Sequence, residues 1–208
     1  MNEYNNYDDE ELSPVQKVIQ FIWDLLKVVT ISLAIIIPVR YFLIQPFYVK
    51  GASMEPSFYD HEYLIVDEIS YCMHQPERGD IVVFRYPKVP SQYFIKRVIG
   101  LPGEKVEIKD KQVFIYPKEG KKFILDEKQY LGEIETSGNN TWTLGPDEYY
   151  VMGDNRSESL DSRSFGPVFK DLIIGRVWLR GWPVWRARVF SDIQYETVAA
   201  SSPDETIN

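Results

Sequence analysis

One stretch constrains this chain more than any other. Residues 28–39 are all apolar except Thr30 and Ser32, whose hydroxyls can bond back onto a helix. Upstream, Val15, Val18, Ile19, Ile22, Leu25, Leu26 and Val29 recur at helical spacing. Ser13 suits an N-cap, Pro14 the first helical position, and Gln16 completes a capping box. The uncharged run of about a dozen residues is short for a bilayer, but residues 25–44 give roughly 20 residues and about 30 Å of helix. Lys27 and Arg40 lie near its two ends, where both can snorkel. Pro38 kinks or ends the helix late in the span. A cleaved leader fits badly. The preceding residues are acidic (Asp8, Asp9, Glu10, Glu11), and Arg40-Tyr41-Phe42 is no small-x-small site. The expectation is an uncleaved membrane anchor helix over 14–45 after an acidic, disordered tail over 1–13; a soluble core helix is the alternative. Lys and Arg are similarly frequent on both flanks, so charge alone does not orient the span.

The net charge is −8 with a pI near 4.9, and no Lys/Arg stripe appears. That argues against nucleic acid as a partner. The single cysteine, Cys72, allows no internal disulfide, zinc cluster or redox pair. No metal or cofactor is expected. His61 and His74 lie in polar stretches and read as surface residues, which leaves a Ser-His-Asp triad without its base.

From Phe47 onward the period changes. Short β-branched and aromatic runs, such as Ile81-Val82-Val83-Phe84 and Val113-Phe114-Ile115-Tyr116, alternate with Pro and Gly signals. Lys109-Asp110-Lys111-Gln112 reads as a hairpin turn. No long amphipathic helix follows residue 44, so residues 46–190 are expected to form a mainly β, antiparallel domain. Residues 118–143 read as an insertion or extended hairpin, and 191–208 as a flexible tail. Trp178, Trp182 and Trp185 suit either a lipid headgroup layer or a closing strand's core.

Three polar constellations stand out. Ser53 follows two small residues in Gly51-Ala52-Ser53-Met54-Glu55-Pro56, where a backbone can approach closely. Lys96 sits in the apolar run Phe94-Ile95-Lys96-Arg97-Val98-Ile99-Gly100-Leu101-Pro102-Gly103. Alternation puts Phe94, Lys96 and Val98 on one face and Ile95, Arg97 and Ile99 on the other. Apolar surroundings disfavour a charged lysine. To serve as a base near neutrality it must fall about 3 units from roughly 10.4, about 4 kcal/mol. The third constellation is the polar loop Gly153-Asp154-Asn155-Arg156-Ser157-Glu158-Ser159-Leu160-Asp161-Ser162-Arg163, in which Asp161 and Arg163 can pair. Taken singly, these read as a turn serine, a snorkelling lysine and a solvated turn.

Taken together and in this order, with Arg78-Gly79-Asp80-Ile81-Val82-Val83-Phe84 as a fourth box, they resemble the signature boxes of type I signal peptidases over about residues 47–183. The resemblance implies a β-rich, partly open barrel catalytic domain after one N-terminal transmembrane helix, in a single-pass protein of the cell membrane. The N-terminus would be cytoplasmic and the catalytic domain extracytoplasmic. It implies a serine endopeptidase that removes signal peptides from preproteins after small residues at −3 and −1. Its partners are those preproteins, the lipid bilayer and the secretion translocon. By position, Ser53 matches the nucleophile, Lys96 the general base, Ser159 the serine that orients the lysine, and Asp161 with Arg163 the pair that holds the site; Asp154 belongs to the same supporting set. Phe47, Val49, Phe58 and Ile95 resemble the apolar lining of the substrate cleft. Gly51 departs from the branch that carries an oxyanion-stabilising hydroxyl there, which leaves a backbone group or water as second donor.

Two other classes compete. A self-cleaving repressor shares the Ser-Lys idea but needs an N-terminal DNA-binding domain, whereas the first 45 residues are an acidic tail and an apolar helix. An anchored receptor domain gives Ser53 and Lys96 no special role. Val198-Ala199-Ala200 also fits a small-x-small site, so trimming of the chain's own tail is a further reading.

Overall fold

A computed structural model describes residues 13–38 and 45–190, together with 193, 195, 198 and 199. The tail over 1–12 and the helix residues anticipated at 39–44 lie outside that set. The chain divides into two compact units, residues 1–42 and 43–208.

In the first unit, helix α1 spans Pro14–Pro38, 25 residues, about 37 Å at 1.5 Å per residue. It begins as its sequence dictates. The Gln16 N–H donates to Ser13 Oγ at 3.3 Å, and the Ser13 N–H donates to Gln16 Oε1 at 2.8 Å. None of its residues is buried, and it is long and apolar enough to cross a membrane. Asp24 and Lys27 pair at 3.3 Å one turn apart, just before the uncharged run that starts at residue 28. The anticipated 14–45 boundary is too long by at least one residue, because Gln45 already pairs as a strand.

The second unit is antiparallel β throughout its described pairings. The larger sheet runs β1 (Gln45–Tyr48), β2 (Tyr63–Asp67), β11 (Ile173–Trp182), β3 (Ile81–Tyr86), β4 (Val89–Gly100), β9 (Glu148–Met152) and β10 (Val168–Phe169), with β12 (Arg188–Val189) also on β11. The smaller sheet runs β13 (Val198–Ala199), β7 (Phe123–Ile124), β6 (Gln112–Tyr116), β5 (Lys105–Lys109) and β8 (Asn140–Thr143). Helices in this unit are single turns, α2 (Ser70–Met73), α3 (Lys128–Leu131) and α4 (Ser162–Phe165).

The central strands have both faces covered, which is why they read as continuous apolar runs rather than alternating ones. In β3, Ile81 and Val83 enter one core with Val49, Met54, Phe58 and Leu64, while Val82 and Phe84 enter another with Val98, Tyr149 and Val151. In β9, Tyr150 and Met152 face a third core, built with the smaller sheet from Ile99, Val106, Ile108 and Ile115. Each such side chain adds roughly 1.5–3 kcal/mol by leaving water. The anticipated hairpin closes through Asp110 and Lys111, both left-handed at φ 50° and 64°. That is the twist a two-residue turn between right-twisted strands needs.

Residues 118–143 are part of the smaller sheet, not an appended hairpin. Their strands β7 and β8 pair on its two sides, with β6 and β5 respectively. The described part of the tail packs as well: Tyr195 joins the third core, and β13 pairs with β7. Trp178, Trp182 and Trp185 are exposed, so the core reading of that run is overturned.

Candidate active site

Ser53 stands on the turn between β1 and β2. Two fully buried side chains of the same turn, Met54 and Phe58, anchor it in the core, and the Phe58 N–H returns to Met54 O at 2.8 Å. From the other side, the Asn155 N–H donates to Ser53 O at 3.1 Å and Asn155 Nδ2 donates to Ala52 O at 3.1 Å. The serine is thereby held between a core anchor and the polar loop.

Lys96 lies on β4 opposite Val82 and is only 3% exposed. Its Nζ donates to Ser53 Oγ at 2.7 Å and to the Ile95 carbonyl at 2.8 Å. Burial lowers its pKa to about 8, against the opposing pull of the Asp161 and Asp154 carboxylates. The two residues are 43 apart in sequence, and the packing of the β1–β2 turn, through Met54 and Phe58, against Ile81, Val83 and Ile95 of β3 and β4 brings them together.

Behind the lysine lies a layer of buried ion pairs. Arg163 grips Asp161 through Nε and Nη2 at 2.9 and 2.8 Å, and Asp161 also accepts the Gly153 N–H at 3.0 Å. Burial alone would raise the Asp161 pKa, but the Arg163 hydrogen bonds and charge outweigh it and hold the carboxyl below its usual range. Asp154 takes two bonds from Arg97, 2.9 and 2.6 Å, and Arg97 Nη1 reaches Gly79 O at 2.9 Å. Arg97 also stacks on Tyr130 at 3.9 Å. Arg156 binds Glu127 and Thr136 from the 118–143 segment and donates through Nε to Gly153 O at 3.1 Å. Gly153 permits a close approach: a Cβ there would lie 2.2 Å from Ser159 Oγ and 2.4 Å from Ser53 O.

Two anticipated placements change. Ser159 abuts Gly153 and favours the ionised form of Asp161, but its buried hydroxyl makes no well-formed hydrogen bond. The Lys96 amine has its hydrogen bonds with Ser53 Oγ and the Ile95 carbonyl, not with Ser159. Phe58 leaves the cleft set, because its turn points it inward against Phe190, ring centres 4.7 Å apart. Phe47, Val49 and Ile95 do line a cleft of about 660 Å³ that also contains Ser53 and Lys96, with Leu64, Tyr93 and Leu160. The pairing of Arg97 with Asp154, 57 residues apart, and of Arg156 with Glu127, 29 apart, escaped sequence reading. The only cue was an arginine on the inward side of an apolar strand.

The family described as signal peptidase, peptidase S26, matches residues 22–182. The chain belongs to the signal peptidase family. Its relatives include the probable signal peptidase I-2 of Synechocystis, 34% identical, with 85% of this chain and 81% of that one covered. Signal peptidase I P of Bacillus subtilis subsp. natto is 36% identical, with 79% and 91% covered. Signal peptidase IB of Staphylococcus aureus is 31% identical, with 86% and 94% covered. This signal peptidase family member is thus a peptidase whose mainly antiparallel β unit follows an apolar helix of membrane-spanning length.

Proposed function

We propose that the protein removes N-terminal signal peptides from exported preproteins by a Ser-Lys dyad mechanism, with Ser53 as nucleophile and Lys96 as general base. The observation that carries this reading is the 2.7 Å contact between Lys96 Nζ and Ser53 Oγ, made by an amine whose pKa burial has lowered to about 8. An amine of that pKa is neutral in a useful fraction of molecules near physiological pH.

In the neutral form Lys96 Nζ accepts the Ser53 proton as Oγ attacks the scissile carbonyl carbon. The Ser53 backbone N–H faces the oxyanion that develops. Collapse breaks the C–N bond, and the leaving amine takes the proton from Lys96. Water then attacks the acyl-enzyme with Lys96 again as base, which releases the signal peptide's carboxylate and frees Ser53.

Residues 93–96 of β4 pair with β3 on one side, whereas pairing with β9 begins only at Arg97. The open edge suits an extended substrate added as a strand, and the apolar cleft beside it favours small side chains at −1 and −3 by steric limit. Helix α1 anchors the enzyme in the cell membrane with its N-terminus cytoplasmic and the catalytic unit outside, within reach of preproteins leaving the translocon. Cleavage of a purified preprotein in detergent by wild type, Ser53→Ala and Lys96→Ala tests the assignment. Both variants should be inactive yet folded, and substantial cleavage by either one would remove that residue from the mechanism.

A further inference from the structure

A second cavity, about 380 Å³, opens elsewhere on the catalytic unit and contains neither Ser53 nor Lys96. Arg97, Arg176, Arg180, Arg186 and Arg188 all line it, with Asp80 as the one acidic lining residue among the described residues. Five guanidiniums on one hollow are out of keeping with a chain of net charge −8.

The fold forces them together. Strand β12 returns antiparallel along β11 and sets Arg188 in register with Arg180, and like charges directly across a ladder repel. Neighbouring carboxylates offset part of this charge. Asp154 holds Arg97. Glu62, itself 2% exposed, takes both Arg180 at 3.2 Å and Arg186 at 2.9 Å. Asp80 lies 3.8 Å from Arg176, which also faces Asp67 across the β2–β11 ladder and favours its ionised form, so four carboxylates stand against five guanidiniums. Among the described residues Arg188 has no ion pair or hydrogen bond; its guanidinium lies 5.6 Å from the Phe190 ring centre. The cavity therefore keeps an excess of positive charge in planar, many-donor groups, the type that binds phosphate oxygens in pairs. Its volume is at the small end for ligand sites, suited to a compact anion.

We propose that this cavity is a binding site for a phosphate group, with Arg188 as the principal free donor. That group is either free phosphate or the headgroup phosphate of an anionic lipid. The site stands apart from the dyad and does not depend on the proposed proteolytic role.

The test uses the full chain in a neutral detergent. One arm titrates inorganic phosphate against sodium chloride at matched ionic strength. The other dopes the micelles with phosphatidylglycerol or, as control, phosphatidylcholine. Melting temperature and calorimetric titration report binding to wild type, Arg188→Gln and Lys109→Gln, the last an exposed charge on the other sheet. Phosphate, phosphatidylglycerol or both should raise the wild-type melting temperature beyond the controls. Arg188→Gln should weaken the response about tenfold or more, one charged hydrogen-bonding contact being lost, and Lys109→Gln should leave it unchanged. A response to phosphate alone identifies the free anion, and one to phosphatidylglycerol alone the headgroup. No response in either arm, a response equal to that of chloride or phosphatidylcholine, or an undiminished response in a folded Arg188→Gln variant overturns the proposal.

Discussion

The Arg97 guanidinium and the Asp154 carboxylate meet through two hydrogen bonds, 2.9 and 2.6 Å, with 3% and 0% of their side chains exposed. Arg97 is the next residue after Lys96, and Asp154 follows Gly153 in the loop that touches Ser53. The pair therefore ties the strand that carries Lys96 to the loop that braces Ser53. It also places a negative charge that favours the protonated form of Lys96.

Removing one partner should be costly. Asp154→Asn leaves Arg97 buried without its counter-charge, a loss of about 3–5 kcal/mol for a broken buried pair, to be read from urea unfolding. Because Asp154 raises the Lys96 pKa, the same variant should move the midpoint of the pH–rate profile below the wild-type value. An unchanged midpoint in a folded variant would mean that Asp154 does not act on the amine.

The wild-type rate should rise with pH through about 8, the value to which burial lowers Lys96, and fall tenfold per pH unit well below it. Lys96→Arg should be inactive at every pH in that range, since a guanidinium stays protonated. Retained activity in Lys96→Arg would end the neutral-base mechanism.

Lys96 should also cost stability. Its folded pKa of about 8 lies below its ordinary 10.5, so the folded state resists protonation. The penalty is absent above the unfolded value, grows as pH falls from 10.5, and is complete below the folded value, at roughly 3 kcal/mol. Lys96→Met, similar in length and uncharged, should thus melt above wild type at pH 7, with the difference shrinking toward pH 10. A destabilised Lys96→Met at neutral pH would contradict the burial argument.

Gly153→Ala should lower activity by about a hundredfold or more, because the added Cβ meets Ser159 Oγ and Ser53 O far inside contact distance and a displacement of that size misplaces Ser53, the proposed nucleophile. The far-UV circular dichroism should be retained. Wild-type kinetics in the alanine variant would show that the loop yields freely.

Under the proposed specificity, preproteins with phenylalanine in place of alanine at −1 should lose most of their kcat/KM, the −1 side chain being held against the apolar wall of Phe47, Val49 and Ile95. Equal cleavage of both substrates would dispose of the steric account.

Much of this protein was written in local pattern. The capping box at Ser13 and Gln16, the apolar helix, the two-residue turn at Asp110 and Lys111 and the short apolar strands each depend on neighbours a few residues apart, and each formed as its sequence required. The motif order also pointed to Ser53, Lys96 and the Asp161–Arg163 pair, the last only two residues apart. Other features depended on contacts that no local rule encodes. Packing of the β1–β2 turn against β3 and β4, not sequence spacing, set Lys96 against Ser53 and turned Phe58 into the core. The partners of Arg97 and Arg156 come from distant segments, and residues 118–143 joined a sheet because two of its edges needed strands. Short-range sterics and hydrogen bonding decide elements and turns; the choice of which buried charge meets which is made only when the whole chain closes and each must find a partner out of water.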